Sequence, residues 1–76
     1  MTSGGRRLRG LHPDRVIRAF QRAGYYTART SGSHFVLKHP ERATVIIPRH
    51  DPVKVGLLMD QIHAAELTIE EFEQLL

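Results

Sequence analysis

Three short runs rich in aromatic and β-branched residues are joined by connections too short to hold a crossover, and this spacing constrains the chain more than any other feature. Tyr25 to Arg29, His34 to Lys38 and Ala43 to Ile47 have the composition of strands. Thr30-Ser31-Gly32-Ser33 and His39-Pro40-Glu41-Arg42 have the composition of tight turns. Parallel neighbours need a crossover of about a dozen residues or more, so the runs are expected to form an antiparallel meander. Pro48 should end the third strand, because it cannot donate to a ladder.

Helical patterns flank the meander. His12-Pro13-Asp14 reads as a helix start, with proline at the first helical position, an acid in the first turn and Leu11 placed to staple against Val16. Val16, Ile17, Phe20 and Ala23 form its apolar stripe, Arg15, Arg18 and Arg22 its solvated face, and Gly24 its stop. A second helix can begin at Asp51-Pro52, with Leu58, Ile62 and Ala65 on one face and Gly56 weakening its first turn. Thr68-Ile69-Glu70-Glu71 is a capping box for a short terminal helix carrying Phe72, Leu75 and Leu76. The expected fold is α+β, with helices on one sheet face and the other face open.

Parity then places one histidine. Side chains alternate along a strand, so Phe35 and Leu37 share one face while His34, Val36 and Lys38 share the other. With the bulky pair in the core, His34 stands on the open face where the turn Ser31-Gly32-Ser33 becomes a strand.

Composition narrows the class. At 76 residues the chain makes one small domain, which buries only about 60% of its unfolded surface. It contains no cysteine, so disulfides and thiolate metal sites are excluded. The opening Met1-Thr2-Ser3-Gly4-Gly5 does not look like a signal peptide, and no apolar run approaches the roughly 20 residues of a membrane span, so a soluble cytoplasmic protein is expected. Residues 1–10 read as a flexible basic arm and residues 11–76 as the folded domain. The net charge of +3 is unevenly spread: residues 1–50 carry ten Lys and Arg against Asp14 and Glu41, while residues 51–76 carry Lys54 against six acids. An arginine-rich half suits phosphate or a carboxylate-rich partner, although charge alone is equally compatible with a solvated basic surface.

Ala23-Gly24-Tyr25, Arg29, Gly32-Ser33-His34, His39-Pro40, Thr44-Val45-Ile46-Ile47-Pro48-Arg49-His50 and Glu70-Glu71-Phe72, in that order and spacing, resemble the HicA (YcfA-like) toxins of bacterial toxin–antitoxin pairs. The similarity runs from about Leu11 to the C-terminus. It implies a double-stranded-RNA-binding-domain-like fold and an mRNA endoribonuclease that needs no ribosome. A HicB-like antitoxin would silence it by covering the active face, so a monomer when free and a hetero-oligomer with the antitoxin are expected. The family's catalytic histidine lies in its Gly-Ser-His motif, which maps onto His34. Two departures stand out. Gly56-Leu57-Leu58 replaces the family's Gly-Thr-Leu, and Ala65-Glu66-Leu67 replaces Ala-Gly-Leu, removing a glycine from a turn suited to positive φ.

RNA carries its own nucleophile, the 2′-OH, so cleavage needs a base, charge stabilisation and in-line geometry. His34 can supply the base, and positioned acid–base catalysis is worth about 10²–10⁴-fold, enough for a slow nuclease. Gly32 lets the backbone approach substrate closely, and Ser33 can orient the imidazole or donate to a phosphate oxygen. Lys38 and Arg49 are candidates to stabilise charge; Arg29 is a third, with its strand facing left open. His39 and His50 sit beside turns and suit backbone hydrogen bonds, while His63 suits packing at the helix boundary. The histidine spacing lacks the paired ligands of a zincin, and no carboxylate or thiolate cluster completes a tetrahedron, so neither metal nor cofactor is expected. An RNA-binding module without activity, and an inactive family member held by an antitoxin, are the alternatives.

Overall fold

The computed structural model describes residues 7–76. Its elements run α1 (Pro13–Arg22), β1 (Tyr26–Thr30), β2 (His34–Lys38), β3 (Val45–Pro48), α2 (Val55–Ala64) and α3 (Ile69–Gln74). The strands form one antiparallel sheet in the order β1-β2-β3. This is the expected α+β arrangement, compatible with a double-stranded-RNA-binding-domain-like fold, with a short helix at its C-terminal end.

Helix α1 starts where proline costs nothing, at the first helical position, whose N–H would be unpaired anyway. Its N-cap is His12, whose Nδ1 accepts the Asp14 N–H at 3.0 Å, as an aspartate or serine oxygen does elsewhere. The helix closes in a Schellman motif. Tyr25 N–H donates to Phe20 O at 3.1 Å and Gly24 N–H to Gln21 O at 3.0 Å, with Gly24 at φ +101°.

Helix α2 ends in the same motif. Leu67 N–H donates to Ile62 O at 3.1 Å and Glu66 N–H to His63 O at 2.9 Å. Here the left-handed position is occupied by Glu66 at φ +61°, so this turn does take the positive φ for which the family's glycine is suited. Leu57, the other departure, is half-buried against the core. Helix α3 carries the expected capping box: Glu71 N–H donates to Thr68 Oγ1 at 3.0 Å, and Thr68 N–H to Glu71 Oε1 at 2.8 Å.

The core lies between the helices and one sheet face. Phe20 packs against Phe72 with ring centroids 4.9 Å apart and against Tyr25 edge-on at 5.6 Å. Leu37, Val45, Ile47, Leu58 and Ile62 close around them, fully buried or within 1% of it. Burying such a side chain is worth about 1.5–3 kcal/mol. Tyr25 keeps its hydroxyl satisfied by donating to Ala43 O at 2.7 Å. Burial is the main reason its phenol titrates above the ordinary value; the Arg42 charge opposes that rise and Glu66 adds to it.

Several boundaries differ from those read in the sequence. Strand β1 begins at Tyr26, because Tyr25 belongs to the helix cap and turns its ring into the core. Strand β3 is displaced to Val45–Pro48; Pro48 is its last residue, tolerated on an edge strand opposite His34. Helix α2 starts at Val55 rather than at Asp51-Pro52, because Val53 drops into the core and donates its N–H to Leu11 O at 2.9 Å, which keeps this N–H out of a helical ladder. Most of the expected basic arm, residues 1–6, lies outside the described residues. Within the remainder Leu8 is fully buried, so core packing begins before Leu11.

Candidate active site

The β1–β2 connection is a tight hairpin built by serine. Ser31 N–H donates to His34 O at 2.8 Å, closing the loop around Gly32 and Ser33. In the reverse direction it is the Ser31 side chain that acts, since His34 N–H donates to Ser31 Oγ at 3.0 Å while the hydroxyl lies 3.1 Å from His34 O. A serine hydroxyl thus substitutes for a ladder carbonyl and pins the backbone of His34. Sequence reading assigned Ser31 no such role; its signal is a hydroxyl at the residue that opens the two-residue loop.

The His34 side chain is held as well. Ser33 Oγ and His34 Nδ1 are 2.9 Å apart, while Nε2 has no hydrogen-bond partner among the described residues. When Nδ1–H donates to Ser33, Nε2 presents a lone pair; when the serine donates, Nε2 carries the proton. His34 is exposed, as parity predicted. Among the described residues a Cβ added at Gly32 would meet nothing within 4 Å, and its φ is not in the left-handed region, so none of them demands glycine there.

Register decides which cations share the histidine's face. Opposed residues in an antiparallel pair lie on the same side of the sheet. His34 pairs with Pro48, Val36 with Ile46 and with Arg29, and Lys38 with Tyr26. Strict alternation from Tyr26 would put Arg29 on the covered face, but the pairing skips Ala28 between Thr27 and Arg29, and this bulge returns Arg29 to the open side. Arg29 therefore sits diagonally across from His34, one strand over and two residues along. Lys38 shares the face from the far end of β2, about 13 Å along the strand.

Arg49 is placed elsewhere. Its N–H donates to Ser33 O at 2.8 Å, so it continues the β2–β3 pairing, but its guanidinium lies 5.3 Å from the centroid of the Phe35 ring on the opposite side of the sheet. The structure brings Gly32, Ser33, His34 and Arg29 together, puts Lys38 on the same face at a distance, and separates Arg49 from it. The open face also exposes Tyr26 and Ile46, by 56% and 44%.

The other histidines have separate tasks. His39 Nδ1 accepts the Glu41 N–H at 3.0 Å and its ring packs 5.0 Å from Tyr25; His50 Nδ1 lies 2.9 Å from Pro52 O. Both make the backbone bonds expected of them, whereas His63 is exposed rather than packed at a boundary. Among the described residues no three His, Asp or Glu side chains converge as a metal-binding group. Nor is any helix of the described residues long and apolar enough to cross a membrane.

Comparison with known proteins bears on this geometry. The family model for the HicA toxin of bacterial toxin–antitoxin systems matches residues 13–67. That stretch includes the whole sheet, the serine-built hairpin, His34 and all three candidate cations. No curated protein matches the chain.

Proposed function

The chain belongs to the HicA toxin family, and from that premise we propose that it is an endoribonuclease of mRNA in which His34 performs metal-independent acid–base catalysis. Membership makes it the toxin of a toxin–antitoxin system with an antitoxin partner. The observation that carries the nuclease reading is the exposed imidazole of His34, tied at Nδ1 to Ser33 with Nε2 unpartnered among the described residues, on the sheet face that also bears Arg29.

His34 Nε2 takes the proton of a ribose 2′-OH, and that oxygen attacks the adjacent phosphorus while the bond to the 5′-oxygen breaks. The proton returns to the leaving oxygen, so the products are a 2′,3′-cyclic phosphate and a 5′-hydroxyl end. The imidazolium formed midway keeps its Nδ1–H on Ser33. Arg29 stabilises charge on the non-bridging oxygens, and Gly32 lets the strand pass close to the hairpin. Lys38 is too far along β2 to touch the same phosphate and grips a neighbouring one. A HicB-like antitoxin silences the enzyme by covering this face; its exposed Tyr26 and Ile46 and its cations suit a partner that is apolar and acidic.

The test is cleavage of a single-stranded mRNA in EDTA. Wild-type protein is expected to leave cyclic phosphate ends, while His34→Ala binds the same RNA and cuts it about 10²–10⁴-fold more slowly. Equal rates for the two proteins would remove His34 from the chemistry. RNA binding with no cleavage by wild-type protein would instead support a non-catalytic module.

A further inference from the structure

The end of the sheet that carries His34 also borders a hollow on the helix-covered side, lined by His12, Pro13, Asp14, Phe35, Arg49 and Asp51 and enclosing about 260 Å³. The backbone bond from Arg49 N–H to Ser33 O separates the two, so a strand passing over the hairpin runs from one to the other. One wall carries the Arg49 guanidinium, its carbon 5.3 Å from the centroid of the Phe35 ring. The others carry acceptors. Asp14 and Asp51 approach His12 only at 3.7 and 3.9 Å, longer than hydrogen bonds, and among the described residues their carboxylates accept none. His12 Nδ1 is taken up by the Asp14 N–H, so the neutral ring carries its proton on Nε2, the nitrogen nearest Asp51.

This charge pattern selects the occupant. Two carboxylates against one guanidinium repel a phosphate, although phosphate suits the open face. A planar, uncharged group with donors along one edge fits, and in an RNA strand that group is a base stacked on the guanidinium plane. Guanine presents N1–H and an N2 amine side by side, which one carboxylate accepts together, with O6 adjacent to accept from His12 Nε2–H. Adenine and cytosine place a ring acceptor beside their amine, and uracil flanks its N–H with carbonyls, so each sets an acceptor against the carboxylate.

We propose that this hollow is a guanine-binding subsite for a nucleotide flanking the cleaved bond, which would give the enzyme a sequence preference. The proposal rests on the nuclease reading above. Its test uses His34→Ala protein, so that RNA stays intact, with fluorescence anisotropy on short single-stranded RNAs differing at one guanine. Replacing that guanine by adenine is expected to weaken binding about 10-fold, and inosine, which lacks the N2 amine, by less. Adding Asp51→Asn should erase the difference while leaving thermal unfolding in place. Affinity indifferent to the base, as expected if the carboxylates instead receive a cationic side chain of a protein partner, overturns the proposal. So does a guanine preference that survives Asp14→Asn with Asp51→Asn. If wild-type protein cuts no RNA the nuclease reading falls, and base-dependent binding still decides the fate of the hollow.

Discussion

The two faces of the sheet are made from the same three strands and the same hydrogen bonds, but alternation has given them opposite fates. On the covered face Leu37, Val45 and Ile47 are fully buried beneath Phe20 and Phe72. On the open face, offset by one residue, stand His34, Arg29 and Lys38 among exposed Tyr26 and Ile46. A strand with one buried side can carry chemistry on the other without weakening its own packing, since the two sets of side chains share only backbone. Substitutions should accordingly separate into those measured as stability and those measured on RNA.

The largest effect is expected on the covered side. Phe20→Ala removes the ring that meets both Tyr25 and Phe72 and should cost about 3–5 kcal/mol in urea unfolding, a large part of the margin of a small domain. A loss under about 1 kcal/mol would mean that this core is not what holds the sheet. On the open side Arg29→Ala and Lys38→Ala should both leave unfolding in place yet part company in kinetics. Arg29→Ala is expected to lower kcat about 10-fold or more, because the proposed mechanism sets it against the reacting phosphate. Lys38→Ala should raise KM severalfold and flatten its salt dependence with little change in kcat. Equal effects from the two would break the distinction that the β1 bulge draws between them.

The smallest effect concerns the covering layer. Glu66→Gly relieves a left-handed side chain at the end of α2 and should stabilise the domain by about 0.5–1 kcal/mol, with cleavage unchanged. The matching turn after α1 already has Gly24. A Cβ there would come within 2.8 Å of His39 Nε2, so that position has no comparable freedom.

How legible each element was depends on the range of the interactions that decide it. The capping box at Thr68, the proline start of α1 and the exposure of His34 follow from residues within one turn or one strand, so they could be read directly. Arg29 could not, because its facing depends on a bulge set by pairing with β2. Arg49 was expected beside His34 and instead lies over Phe35, since its N–H bonds Ser33 O one residue beyond the His34–Pro48 pair and its side chain falls on the other face. Leu8 looked like part of a basic arm, yet it fills a gap in a core assembled from the rest of the chain. His12 was read only as a helix start; its role as cap, and its place beside Asp51, require two segments to meet.

By itself, then, the sequence determined the strands and their antiparallel order, because short connections leave no other route, and it determined that a histidine would stand exposed where the hairpin meets β2. Only the tertiary structure decided which cations accompany that histidine and what lies around the corner of the sheet. Local composition and period of two reach a few residues, whereas register, the bulge and the meeting of α1 with the segment after β3 are settled by packing between residues far apart in the chain.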